Sequence, residues 1–340
     1  MLRRSPRAGN NGPAIALGIL VVAVALFSLT TEGFLTGFNA TSVLSRAVPL
    51  ILVAIGTTYV LAAGEIDLSV GALSALGGVV FMLVSNTGQL PLAWLLVIAV
   101  GIVVGLVNSV LVGVVGITSF IATLATSFIA TGLAFALSNS EPVRGDILEF
   151  TLWFEQPLAW IVSPRLALAI AAILIGHLVL TRTSIGRGIM ASGGDRRVAR
   201  LAGIRVRPLL TGAFVVSGVL AATAGTVVAV GLNTASPVAG VDTLLVAIAA
   251  SIIGGSRLAG GEGSVAGTTL AVIALAAVGN GMNLLNVTPY GQAVVGGLIL
   301  LAAVAADAAL ELRSQGRLRI RLRRTDRRMS ARARPTAPDA

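Results

Sequence analysis

Ten separate stretches of this chain are apolar over about the length a helix needs to cross a bilayer. They fall near residues 14–30, 46–63, 70–86, 92–113, 117–137, 161–180, 208–231, 241–256, 265–284 and 290–310. The hydrocarbon core takes about 20 mostly apolar residues per helix. Inside it each backbone N–H and C=O must be bonded within the protein, which a helix does by itself. The fold class predicted is therefore all-α and polytopic, with about ten transmembrane helices. Charge density agrees: 11% of the residues are charged, against about 25% in soluble domains. A soluble enzyme of ordinary composition is excluded.

The net charge of +10 is unevenly placed. Arg3, Arg4 and Arg7 precede the first stretch, seven arginines face only Asp195 over 181–207, and ten arginines follow Glu311. Basic loops of membrane proteins stay on the cytoplasmic side during insertion. Ten spans put both arginine-rich termini on that side, and six spans put 181–207 there too. The segment 138–160, with Glu141, Asp146, Glu149 and Glu155 against Arg144, then faces outward. This divides the chain into a basic cytoplasmic N-terminus (1–13), a transmembrane region (14–310) and a basic cytoplasmic tail (311–340), the last low in apolar residues and expected to be disordered. The first stretch is read as an uncleaved span rather than a removed signal, and the tail as facing lipid headgroups rather than nucleic acid.

Composition also removes chemistries. There is no cysteine, all 24 basic residues are arginine, and His177 is the only histidine. A nucleotide-binding P-loop and a PLP Schiff base both need lysine, and catalytic zinc needs clustered imidazoles. No catalytic residue, metal site or cofactor is expected in this chain.

Two glycine-framed polar runs interrupt the apolar pattern: GEIDLSVG over 64–71 and GGSRLAGGEGSVAG over 254–267. Broken apolar segments at corresponding places in two halves point to discontinuous helices along a transport path. Gly-Glu followed by Ser-Val and Gly in both runs suggests an internal repeat. Carboxylates at such depth face a cavity, a partner or a helix end. Glu65 and Asp67 thus have two readings, a gate group at the inner end of the path or a cap on the next helix, with Asp67 or Ser69 as the N-cap. Gly71, Gly254 and Gly255 frame the breaks and are grouped with the path or gate. Asn108, Thr123, Asn280 and Asn283 lie within spans, where they can bind a hydroxylated solute or bridge helices. In 181–207, a bend over Ser192-Gly193-Gly194-Asp195 is expected to lead into a short helix over 196–201, capped by Asp195 and ended by Gly203.

These runs resemble the ABC importer permeases of the ribose and simple-sugar family. Gly186-Arg187, Ala191, Gly193, Ala199 and Gly203-Ile204 match that family's coupling loop, with Asp195 in the place of Asn and Val198 in that of an Ala. GEIDLSVG resembles G-G-x-D-L-S-V-G, with Glu65 in the place of the second glycine. SFIATL over 119–124 resembles P-F-I-A-T-L with Ser119 for proline, and 248–268 resembles I-A-A-x-x-I-G-G-x-x-x-x-G-G-x-G-x-x-x-G-T. The matches span residues from about 45 to 308 in family order.

The resemblance implies a permease subunit in the bacterial inner membrane that works as a dimer, a homodimer being expected. It implies a separate ATP-binding subunit that carries ATP and Mg, and an extracytoplasmic solute-binding protein that delivers a sugar. The loop containing Gly186, Arg187, Ala191, Gly193, Gly194, Asp195, Ala199, Gly203 and Ile204 would dock on the ATPase. The alternatives are a branched-chain amino-acid or other small-solute permease of the same kind, then a secondary transporter or channel.

Overall fold

The computed structural model describes residues 12–158 and 162–305. The expected N-terminal arginines, the end of the last span and the tail over 311–340 lie outside the described residues. So do 159 and 160, within the segment expected to face outward, and 161, the first residue of the sixth expected span.

The described residues form thirteen α-helices. They are α1 (Gly12–Thr30), α2 (Gly37–Ala62), α3 (Val70–Ser85), α4 (Leu90–Val110), α5 (Ser119–Leu137), α6 (Leu148–Glu155), α7 (Pro164–Arg182), α8 (Ser184–Gly194), α9 (Arg196–Leu201), α10 (Val206–Leu232), α11 (Val241–Ile253), α12 (Val265–Leu284) and α13 (Pro289–Ala305). A single π-turn, Leu111–Val115, extends α4. Two strands, β1 (Val143–Arg144) and β2 (Thr234–Ala235), pair antiparallel with Val143 opposite Ala235. Among the described residues, each of the ten apolar stretches is largely helical. Seven helices are long and apolar enough to cross a membrane, and three apolar ones (Val70–Ser85, Thr243–Ile253 and Pro289–Ala305) are shorter.

Side-chain caps set five of the helix starts. Thr36, Ser163, Thr183, Asp195 and Ser264 each accept a backbone N–H in the first turn of α2, α7, α8, α9 and α12. α2 begins at Gly37 rather than near 46 because its polar first turns bond locally. Asn39 Nδ2 donates to Phe34 O at 2.8 Å, and Thr41 and Ser42 both donate to Phe38 O. Asn233, in the left-handed conformation, ends α10.

Two helices form the centre. In the apolar windows of α2 and α10, 72% of residues are buried, against 22% in α1 and 17% in α7. α10 lies against α2, α3 and α4 through small residues. A Cβ placed on Gly105 of α4 would stand 2.6 Å from Phe214 O, and one on Gly101 2.6 Å from Val219 Cα. Such backbone approach is the usual basis of helix association in lipid, where apolar burial contributes little. α1 sits outside, on α12, with Phe27, Phe34, Val43 and Ala277 between them. At one end of the bundle the β1–β2 ribbon and α6 close over α3 and α10. There Phe81, Trp94, Phe150 and Phe154 form an aromatic cluster. α8 and α9 lie at the other end.

Candidate functional site: a glycine junction and a buried polar network

The chain between α2 and α3 leaves the helix by a C-terminal glycine motif. Gly64 takes φ +77°, its N–H reaches Leu61 O, and Glu65 N reaches Val60 O at 3.0 Å. α11 ends in the same manner: Gly255 takes φ +103° and Ser256 N reaches Ser251 O at 2.9 Å. The similarity of the two runs in sequence is thus matched by a similarity in backbone.

Irregular backbone at this depth needs partners, and neighbouring side chains supply them. Ile66 N donates to Ser119 Oγ at 3.2 Å and Leu68 N to Thr123 Oγ1 at 3.0 Å, both on α5. Ser69 N donates to Asp67 Oδ1 at 3.0 Å. In the second break Gly261 N donates across to Ala62 O at 3.1 Å, and Arg257 pairs with Glu262 at 3.2 Å.

Both breaks meet the 181–207 segment. The expected bend over Ser192–Asp195 is instead the last turn of α8, which runs unbroken from Ser184 to Gly194. Packing overrides the small-residue signal, because Gly188, Ile189 and Ser192 are buried on one face. The turn comes only at Asp195, whose Oδ1 accepts Arg197 N at 2.8 Å and Val198 N at 3.0 Å and so starts α9. Gly203, at φ +80°, ends α9 as expected, with Ile204 N reaching Ala199 O at 3.0 Å. Gly193 is wedged between the two breaks. A Cβ there would meet Ala62 O, and would stand 2.8 Å from both Ala63 C and Gly261 N. Gly260 would place a Cβ 2.6 Å from Gly64 Cα and from Gly193 O. Three backbones therefore touch at Gly64, Gly193 and Gly260–Gly261. Arg196, at the start of α9, forms an ion pair with Glu65 in the first break.

Asp67 turns inward from this junction and is 3% exposed. Its Oδ1 accepts Ser69 Oγ at 2.5 Å, and its Oδ2 accepts Ser217 Oγ of α10 at 2.8 Å. Asn108 Nδ2 of α4 donates to Ser69 Oγ at 3.0 Å, and Thr126 Oγ1 of α5 donates to Asn108 Oδ1 at 2.7 Å. One network of charge-assisted and neutral hydrogen bonds thus ties the break to α4, α5 and α10. A second buried cluster joins Thr58 of α2, Ser251 of α11 and Thr268 of α12, with Thr58 and Thr268 hydroxyls 2.8 Å apart.

The remaining predicted residues are dispersed. Ser69 stands at the N-cap position of α3 with no side-chain cap bond. Gly71 packs on Gly240, and Gly254 on Gly267 and Thr268. Gly186 lies against Leu180. Arg187 reaches back to Arg182 O, and Ala191 O accepts Asp195 N. Ala199 is buried beneath α9. Asn280 Nδ2 donates to Asn39 Oδ1 at 2.6 Å, bridging α12 to α2, and Asn283 Oδ1 accepts Gln292 Nε2 from α13. Neither asparagine reaches the Asp67 network. Sequence reasoning missed Ser217, Thr126, Thr58, Ser251, Thr268 and Arg196. A hydroxyl next to glycine within an apolar span is the available signal for Ser217 and Thr268, but it carries no sense of direction.

Broken apolar helices, a centre packed through glycine and a basic helical pair touching both breaks define a multi-pass membrane protein of the transporter kind. The chain belongs to the family described as branched-chain amino acid transport system / permease component, whose model matches residues 39–303. It is 35% identical over 292 residues to the D-allose transport system permease protein AlsC of Escherichia coli, covering 85% of this chain and 89% of that one. The ribose import permease protein RbsC of Bacillus subtilis is 34% identical over 300 residues, 87% of this chain and 92% of its own. The L-arabinose transport system permease protein AraH of Escherichia coli is 34% identical over 311 residues, 87% and 89% respectively. No solved structure matches. The resemblance read from the motifs is borne out, and the chain is a permease subunit rather than an enzyme.

Proposed function

We propose that this chain is the membrane subunit of an ATP-driven sugar importer in a bacterial inner membrane. In this reading α8 and α9 dock on a separate ATPase that holds ATP and Mg, a solute-binding protein delivers the sugar on the opposite face, and two copies of the chain pair around the path. The observation that carries it is the junction at Gly64, Gly193 and Gly260–Gly261, where the docking segment touches both broken helices. A displacement of α8 cannot leave the breaks unmoved. That is the property alternating access requires of an input element. The termini and α8–α9 are cytoplasmic, and 138–160 is outside. The solute crosses uncharged, past hydroxyl and amide groups. The printed names of the relatives, D-allose, ribose and L-arabinose, favour a monosaccharide. The family description favours a branched-chain amino acid as the second reading.

The test is uptake into vesicles holding the chain with its ATPase and binding protein. ATP-dependent accumulation of D-ribose, D-allose or L-arabinose, absent without the ATPase, is the expected result. Accumulation of leucine alone would select the second reading. Solute flux through the purified chain by itself would overturn both in favour of a secondary transporter or channel.

A further inference from the structure

α9 is weakly held by its own chain. Of its six residues Ala199 is buried, while Val198 is 60% and Leu201 82% exposed. Besides Ala199, an ion pair ties it to the first break. Asp195 caps it, and Arg196 forms an ion pair with Glu65. The Glu65 side chain is only 11% exposed, so the carboxylate is held largely out of water at the edge of the first break. The four residues after Glu65 make the side-chain hydrogen bonds to α5, α4 and α10 described above. Continuous contacts therefore run from the exposed face of α9, through Arg196 and Glu65, to the Asp67 network. Glu65 is also the one departure of GEIDLSVG from the motif it resembles, which has glycine there.

We propose that the Arg196–Glu65 pair is a positioning contact that carries movement of α9 into the α2–α3 break. It rests on the reading of α8–α9 as the ATPase-docking segment, and it adds a charged link to the glycine junction. A backbone contact through Gly193 transmits a push from α8. The ion pair also transmits a pull, because opposite charges resist separation in a partly desolvated setting. Glu65 is on this account neither a gate lining the path nor a helix cap, but the receiving end of the link.

Two measurements test the pair in the full chain. The first needs no partner. The chain has no cysteine, so Val198→Cys accepts a single nitroxide label on α9. Label mobility is expected to rise in Glu65→Gln and in Arg196→Gln, and to return towards the starting value in the swapped chain Glu65→Arg/Arg196→Glu. A label equally mobile in all four backgrounds overturns the proposal. The second uses the chain assembled with its ATPase and with binding protein loaded with D-ribose, D-allose or L-arabinose. The ratio of ATP hydrolysis with loaded binding protein to that without it is expected to fall about fivefold or more in each single variant. The swap should recover most of that loss at equal yield of complex. Single variants that keep the full ratio, or a swap no better than either single variant, sink the pair as a transmitting contact. If a single variant does not assemble, the swapped chain decides by itself, since restored assembly and stimulation require the pair and continued failure denies it. A starting chain stimulated by none of the loaded sugars defeats the proposed function instead, and the label measurement still judges the pair.

Discussion

Asp67 is buried, no ion pair to it is formed among the described residues, and its stability at that position depends on donors: Ser69 through both N–H and hydroxyl, and Ser217 through its hydroxyl. A buried carboxylate is tolerable when each oxygen is bonded in this way. Asp67→Ala leaves the Ser69 N–H and the Ser217 hydroxyl without acceptors, a loss of about 2–4 kcal/mol. Asp67→Asn keeps an acceptor for Ser69 and offers a donor to Ser217, and should lose less than half as much. Thermal unfolding of the purified chain in detergent checks the order. A midpoint for Asp67→Ala equal to that of the unmodified chain would refute the structural role. Sequence alone allows Asp67 to be a gate or a cap, and the structure gives it a third part, as the node between a helix break and α10. Nothing in DLSVG could indicate this, because Ser217 is 150 residues away along the chain. The local half is legible only in part: Asp67 accepts the Ser69 N–H just ahead of α3, in place of the N-cap bond expected of Asp67 or Ser69.

At the scale of elements, the glycines separate into those that are crowded and those that are not. Gly193 has no room for a methyl group, whereas a Cβ on Gly194 would find only Gly261 Cα, at 3.9 Å. Gly193→Ala should therefore pry α8 from the two breaks and sharply lower binding-protein-stimulated ATP hydrolysis, while Gly194→Ala keeps it. Equal stimulation in both variants would remove the junction as the transmitting contact. The same contrast holds in the core. Gly105→Ala forces α4 from α10 at a cost of about 1–3 kcal/mol, whereas Gly212→Ala of α10, with open space around its Cβ, leaves the unfolding midpoint unchanged or slightly raised. The existence of helices was readable from apolar length, since the backbone in lipid has few other solutions. Their joints were less so. The last turn of α8, over Ser192–Gly194, reads as a bend in sequence because Ser, Gly and Gly favour turns locally, and only the packing of Ile189 and Ser192 shows why the helix persists. The paired breaks were legible as glycine-framed interruptions, but their meeting with Gly193 is a tertiary fact.

For the whole molecule, charge and connectivity favour the orientation proposed above. Alternate helix connections gather at the two ends: 63–69, α8–α9 and 254–264 at the glycine junction, and 138–158 and β2 at the ribbon. The junction end carries Arg187, Arg197, Arg200, Arg205 and Arg207, and the ribbon end carries Glu141, Asp146 and Glu149. Under the proposed function, retention of basic loops during insertion would put the junction end in the cytoplasm. Because the chain lacks cysteine, single substitutions report sidedness without a background. Glu141→Cys and Arg200→Cys are both at exposed positions, on opposite ends of the bundle. A membrane-impermeant maleimide added to intact spheroplasts should label Glu141→Cys and not Arg200→Cys, and inverted vesicles should give the opposite result. Reversed labelling would turn the molecule over and put the proposed ATPase dock outside, where no ATP is supplied. Labelling of both from one side would mean that α7, the one span-length helix between the two positions, does not cross. The expected pattern leaves a single arrangement consistent with import: a basic, glycine-jointed face turned to the ATP pool and an acidic ribbon face turned to the incoming solute.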